Sequence, residues 1–419
     1  MSKNSSRVPL VVIGGGAAGL VAAITAARNG VHVVVLEKNA VVGKKLSITG
    51  GGRCNITNAT PRVRDLLSQY GEAGKFLFSP FSQFGVAETR SWFAQIGVET
   101  VEQAERRVFP VHESAPLVTK ALIDTARSVG VIIRTRAPVL SLTKTATGFV
   151  VTLAKETIHA DAVILATGGV SHPETGSTGD ALPWLTTMGH TVVAPESSLV
   201  PVAVTELDRA RLLSGIALLA AGIRVYDASQ IVYQAMGKVL FTHFGLSGPG
   251  VLNASHAVVL ALKNGQASIE LDLLPAQSEE ILEAWLISKT MQNRNKLVVN
   301  YVRELLPTVL VKVVMESAGL NPSLPAHALT VSLRRQLIAA LKHFRWHPSH
   351  VLGPEHAIVT AGGVALTEIN FKTMESRLTP QLYVVGDVLN INRPSGGYSL
   401  QLCWTTGYVA GVAASEALS

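Results

Sequence analysis

Residues 8–37 read VPLVVIGGGAAGLVAAITAARNGVHVVVLE. The run 8–13 is short, apolar and β-branched and stops at glycine, the pattern of a buried parallel strand. Leu20 to Asn29 are rich in alanine and predict a helix that Gly30 closes, and 31–37 predict a second buried strand ending on an acid. Between the first strand and the helix stands Gly14-x-Gly16-x-x-Gly19. The first glycine permits the tight turn off the strand, the second removes a Cβ where a pyrophosphate must approach the backbone, and the third lets helix and strand pack closely. The free N–H groups and positive dipole end of the helix then face the phosphates. Glu37 lies eighteen residues after Gly19, where a carboxylate accepts hydrogen bonds from ribose hydroxyls and repels a 2′-phosphate. The unit predicts half of a dinucleotide fold, with Gly14, Gly16, Ala17, Ala18, Gly19, Glu37 and Lys38 as candidate contacts and NADP disfavoured at this site.

Two later segments choose the dinucleotide. AVILATGG (162–169) is a buried strand entering a glycine turn through Ala166, Thr167 and Gly168, and LTPQLYVVGDV (378–388) is an apolar strand ending in Gly386-Asp387. A carboxylate at that strand end is placed to bond ribityl hydroxyls, which a flavin carries and NAD lacks. The three elements in this order resemble FAD-binding proteins of the glutathione-reductase type, so FAD is expected. The fold class is α/β, a Rossmann-like FAD-binding domain in two parts with an inserted strand-plus-helix region.

With 419 residues, 47% hydrophobic and 16% charged, the chain has room for two or three domains and a globular composition. Glycines at 14, 15, 16 and 19 interrupt the apolar stretch 10–27, which suits a phosphate loop and not a membrane helix, so a soluble cytoplasmic protein without a membrane partner is expected. Its two cysteines, Cys54 and Cys403, are far apart in sequence and neither forms a CxxC pair, which disfavours a disulfide reductase. The 12 histidines show no HExxH or clustered Cys/His spacing, so no metal site is expected.

Along the chain, 85–104 and 115–129 read as helices and 131–169 as strands with a small meander. Residues 197–274 read as strand-rich and 277–346 as helical. The implied domains are 1–196 with 355–419 for FAD, 197–274 as a β-rich insert and 275–354 as the helical cap. The formal charge is +7 with pI near 9.4, which admits an anionic partner. Residues 273–350 hold nine Lys and Arg against five Glu. Within them LKHFRWH (341–347) alternates bases with aromatics, as a nucleic-acid surface does; a solvated helix face is the plainer reading.

The segments GKKLSITGGGRCNITN (43–58), RVFP (107–110), TGSTGD (175–180), FTHFGLSGPGVL (241–252), TAGGV (360–364), TMESR (373–377) and GGYSLQL (396–402) occur together and in order. By these the chain resembles the YhiN/BaiN-like flavoprotein family, which includes aminoacetone oxidase-like enzymes and an rRNA dihydrouridine synthase. The resemblance implies a three-part structure, a Rossmann-like FAD-binding domain with an inserted β-barrel-like domain and a helical cap, in which Lys45, Arg53, Cys54 and Asn55 lie along the flavin and Gly396, Gly397, Tyr398 and Ser399 approach its ring. A cation such as Arg53 near N1 and O2 would stabilise the anionic reduced flavin. The chain departs from the family pattern at 386–402, where Asn390, Asn392 and Arg393 replace acidic positions and Ser399 an asparagine, which puts the substrate side in question.

The resemblance implies an FAD-dependent oxidoreductase that reduces an activated C=C bond, with NAD(P)H as a transient donor, since no second GxGxxG is present. One version acts on uridine in ribosomal RNA through the basic helical cap: the 5,6-double bond of uracil is conjugated to a carbonyl and accepts hydride at C6 and a proton at C5. His243 is the candidate acid, with a structural histidine as the plainer reading. The alternatives are an oxidase of a small amine such as aminoacetone, and a flavin-loaded RNA-binding protein without RNA chemistry. Oligomeric state is left open.

Overall fold

The computed structural model describes residues 5–419. Contacts divide the chain into two compact units, one running to Ser198 and resuming at Ala357–Ser419, the other Leu199–His356.

The first unit is built on the opening motif. Strand Ser5–Ile13 lies between Val33–Leu36 and Thr157–Leu165, parallel to both, with Val11 beside Val34 and Val163. Leu382–Val384 extends the parallel sheet beyond Thr157–Leu165 and Ile132–Arg134 extends it beyond Val33–Leu36. All four residues of Val33–Leu36 are buried, as expected for strands covered on both faces. The antiparallel meander Val139–Thr145, Gly148–Leu153 joins along Thr157–Leu165.

Helix Ala17–Arg28 packs against the C-terminal helix Tyr398–Leu418. The two backbones nearly touch: a Cβ on Gly407 would stand 2.4 Å from Ala18 O, and one on Gly411 2.6 Å from Ala22 O. The 85–104 helix is shorter than its pattern suggests. It spans Val86–Gln95, and Thr100–Glu102 continues as a strand because Arg107–Pro110 offers it a ladder.

The second unit carries an antiparallel seven-stranded sheet, with Ala217–Asp227 and Gln230–Thr242 as its long central hairpin. Its edge strands, Phe344–Trp346 and Pro348–Val351, are separated in the chain by His347 alone, so the sheet curls until its two edges share one segment. The strand-rich reading of 197–274 misses one long helix, Pro249–Lys263. Gly248, at φ 89°, follows the short strand Gly245–Ser247, and Pro249 opens the helix. Its buried residues Val251, Ala254, Val258 and Ala261 follow helical spacing that the β-branched run conceals. Helices Glu279–Gln292, Thr308–Ser317 and Val331–Lys342 complete the unit.

The alternation in LKHFRWH has a structural origin. Phe344 and Trp346 are 1% and 0% exposed, pointing into the core from a strand while Arg345 points out. Lys342 is also buried, bonded to the carbonyls of Leu274 and Gln277 and paired with Asp272 at 2.6 Å. The aromatics are therefore unavailable for stacking on bases, which corrects the expectation drawn from the pattern. No helix among the described residues is long and apolar enough to cross a membrane.

Candidate functional site

The glycine loop is shaped by close approach on three sides and space on the fourth. Gly14, at φ 110°, turns the chain where a Cβ would stand 2.3 Å from Ala166 O. A Cβ on Gly19 would stand 2.0 Å from Gly14 O. Around Gly16, at the N-terminus of Ala17–Arg28, the equivalent Cβ meets no atom within 4 Å. Gly16 therefore leaves its space for something other than the chain's own atoms, directly in front of unbonded helix N–H groups, and a diphosphate fits that chemistry.

Glu37 braces this loop. One carboxylate oxygen accepts from Gly15 N–H at 2.9 Å and the other from the backbone and side-chain N–H groups of Asn39, both at 2.8 Å. Lys38 turns to the 175–180 loop and pairs with Asp180 at 2.7 Å, while Asn39 also donates to Thr175 O. Ala166 N–H bonds Ile13 O, which holds the Ala166–Gly168 turn beside the glycine loop.

At the other strand end, Gly386 N–H donates to Thr406 Oγ1 at 3.1 Å. Asp387 accepts from Arg393, whose guanidinium also donates to Ser399 Oγ at 3.1 Å and Ile391 O at 2.7 Å. The Arg393 side chain is 1% exposed. Arg393 stands out in the sequence only as a departure from the family pattern, and its pairing with Asp387 could not be foreseen because an irregular loop joins them. Asn390 and Asn392 brace that loop, accepting from Gly362 N–H and Ser198 Oγ.

Lys45 donates to buried Ser171 Oγ at 3.0 Å, a partner that the sequence did not single out. Burial lowers the pKa of its ammonium, with nearby Asp387 opposing the shift and Arg393 adding to it. Asn55, with its amide turned to satisfy both ends, accepts from Gly397 N–H and donates to Thr57 O, each at 3.0 Å. Gly397, at φ 104°, lies where a Cβ would stand 2.4 Å from Thr57 O. Tyr398 packs edge-on against Tyr70, whose hydroxyl donates to Tyr398 O at 2.9 Å, and Gly396 accepts from Asn58 through its carbonyl. Arg53 lies over the Phe109 ring at 4.3 Å and 3.6 Å from Glu113, so part of its charge is already matched.

All of these residues belong to the first unit; His243 belongs to the second, exposed just after strand Gln230–Thr242 and edge-on to Phe244. Cys54 is buried at φ 61°, and burial pushes its thiol up to about 12 despite a bond to Thr49. Burial, aided by Asp387, pushes Cys403 to about 12 as well. At pH 8 such thiols are ionised in about one molecule in ten thousand. A native thiol titration at that pH is expected to find almost none reacting within minutes, and both after unfolding; fast native labelling of either would show an open, reactive sulfur. Among the described residues no group of three or more His, Cys, Asp or Glu is placed to hold a metal.

The family model described as the HI0933-like protein Rossmann domain matches residues 8–413. The chain is 32% identical over 97% of its length, and 98% of the relative's, to a 3-dehydro-bile acid delta(4,6)-reductase of Clostridium scindens. It is 29% identical over 96% of both chains to the ribosomal RNA dihydrouridine synthase of Escherichia coli. Among solved structures, a 3-ketosteroid delta1-dehydrogenase of Sterolibacterium denitrificans has the same fold, with TM-score 0.56 and 11% identity over 98% of this chain and 100% of that one. A glycine cradle, an acid at the end of the second strand and a Gly-Asp at the end of the last strand stand on one parallel sheet, and the match spans both units: the chain belongs to the HI0933-like family, and with it to the FAD-dependent oxidoreductases.

Proposed function

We propose that this chain is a cytoplasmic reductase of an activated carbon–carbon double bond, drawing on NAD(P)H, and that its acceptor is uridine in ribosomal RNA. The observation that carries this reading is the pair of relatives matched along nearly the whole chain. One is named for reducing an unsaturated bile acid and the other for making dihydrouridine, two substrates with one reaction type. In both, a C=C bond conjugated to a carbonyl takes up two electrons and two protons.

Bound FAD supplies the hydride transfer. In this reading the chain's own groups hold and orient it. The N–H groups at Gly14–Gly19 take the diphosphate, with Ala17 and Ala18 opening the helix, and Glu37 takes the adenosine ribose beside Lys38. Asp387 takes ribityl hydroxyls through the carboxylate capacity that Arg393 leaves free. Ala166–Gly168, Lys45, Arg53, Asn55 and the 396–399 turn line the remainder, with fully buried Cys54 packed behind them. His243 delivers the proton to C5 of the reduced base. Cys54 and Cys403 form no CxxC pair, and burial holds both thiols protonated, which supports a direct transfer with no dithiol relay.

Anaerobic titration of the purified yellow protein with NADH and NADPH tests the reading. Bleaching of the flavin within seconds is expected, with one nucleotide preferred and reoxidation on adding a uridine-containing rRNA fragment. A flavin that resists both nucleotides, but releases peroxide in air when aminoacetone is added, would replace this reading with the amine oxidase.

A further inference from the structure

The outer face of the second unit's sheet carries a feature that the family match does not use. Arg224, Glu270 and Arg345 stand directly opposite one another on three adjacent antiparallel strands. Glu270 is 1% exposed and gathers four donors: Arg224 Nη1 at 3.0 Å, Tyr226 OH at 3.2 Å, His343 Nδ1 at 3.0 Å and Arg345 Nε at 3.1 Å. Burial alone would raise the pKa of that carboxyl, and the bonds from His343, Arg224 and Arg345 override it and hold it below the ordinary carboxylate range. One buried acid thus pins two guanidiniums that reach the surface. The Arg345 side chain is 62% exposed and binds Glu270 through Nε, which leaves both its terminal nitrogens for other acceptors.

The same face continues onto the next strand. Gln234 stands opposite Arg224 and Met236 opposite Gly222, followed by exposed Lys238, with Met236 66% exposed. The opposite faces of these strands hold Ile223, Val225, Ile269, Leu271, Phe344 and Trp346, all buried. Asp272, the next acid on the outer face, is paired with Lys342 at 2.6 Å. The result is an open sheet face on which Arg224 and Arg345 flank Tyr226, the Arg345 guanidinium 5.7 Å from the centre of its ring, while exposed Met236 and Lys238 lie further along the neighbouring strand. A flexible polyanion with flat bases complements such a face, because phosphates meet fixed guanidiniums while a base stacks on an aromatic ring. Duplex RNA would offer its phosphates but not its base faces.

We propose that this face binds single-stranded RNA, with Arg224, Arg345 and Lys238 on phosphates and Tyr226 under a base. The inference rests on the RNA version of the function above. It places recognition on strands and not on the 341–347 aromatics, which are core.

The test uses the FAD-loaded full chain and a labelled oligouridylate of about a dozen nucleotides, followed by fluorescence anisotropy over a salt series. The wild type is expected to bind at low salt. Arg224→Gln/Arg345→Gln is expected to weaken binding at least tenfold and to make the log–log salt slope shallower by about 1.4, or 0.7 for each of two phosphates. Lys238→Glu, a change at an exposed position, is expected to weaken binding several-fold, and it decides the matter if the double variant does not fold. Absence of binding by the wild type, unchanged binding by the variants, or preference for a duplex of equal length overturns the proposal. Flavin reduction by NAD(P)H, read on the wild-type preparation, separates the two ideas. Reduction without RNA binding sinks this surface alone, and RNA binding without reduction sinks the reductase reading alone.

Discussion

Gly19→Val is expected to yield little or no soluble protein, whereas Gly16→Val is expected to yield a folded chain that has lost its FAD. The two glycines are three residues apart in one motif, yet the structure gives them opposite tasks. At Gly19 a Cβ would stand 2.0 Å from Gly14 O, and Gly14 cannot retreat because its own Cα already faces Ala166 O across a gap that a Cβ would narrow to 2.3 Å. Helix Ala17–Arg28 would have to lift off the central strand, at a cost of roughly 4 kcal/mol or more, a large share of a domain's stability. At Gly16 a Cβ meets nothing of the chain within 4 Å, and φ is −85°. Val costs the fold about 1 kcal/mol there, the ordinary penalty of a poor N-cap. It does occupy the space where the diphosphate approaches, and FAD affinity is expected to fall at least a hundredfold. Melting followed by circular dichroism and flavin absorbance after gel filtration separate the outcomes. Stoichiometric FAD in Gly16→Val would show that the cradle is elsewhere, and a normal melt for Gly19→Val would show that the helix has room to move.

Asp387→Ala is expected to destabilise the protein by about 3–5 kcal/mol, the penalty for leaving a buried charge without its partner. The Arg393 side chain is 1% exposed, and its other bonds, to Ser399 Oγ and Ile391 O, carry no counter-charge. Asp387→Ala/Arg393→Met removes both charges and is expected to recover at least half of that loss, because no buried guanidinium is then left without its partner. If Asp387 also holds the cofactor, the double variant regains its melting temperature without regaining FAD. An unchanged melting temperature in Asp387→Ala would show that solvent reaches the guanidinium. Recovery of FAD in the double variant would remove Asp387 from the cofactor site.

What could be read from residues in order was whatever depends on near neighbours. Strand, glycine turn, helix and second strand follow one another within residues 8–37, and their periodicity and turn chemistry are local, so the nucleotide half was legible together with Glu37. Asp387 was legible for the same reason, since it closes an apolar run at a glycine. Helix Pro249–Lys263 was less so, because Val and Leu fill helical and strand positions equally and only packing against the hairpin chose between them.

The sequence by itself determined that this chain would build a dinucleotide cradle and that an acid would stand at the end of each of two parallel strands. Tertiary structure alone decided what those acids face. Glu37 is turned onto Gly15, and Asp387 is matched by an arginine that a loop brings back to it. It also decided that the aromatics of 341–347 belong to a core while Arg345 joins Arg224 around one buried glutamate. Charge pairing and burial are set by which strands lie side by side, and neighbouring strands can be more than a hundred residues apart in the chain.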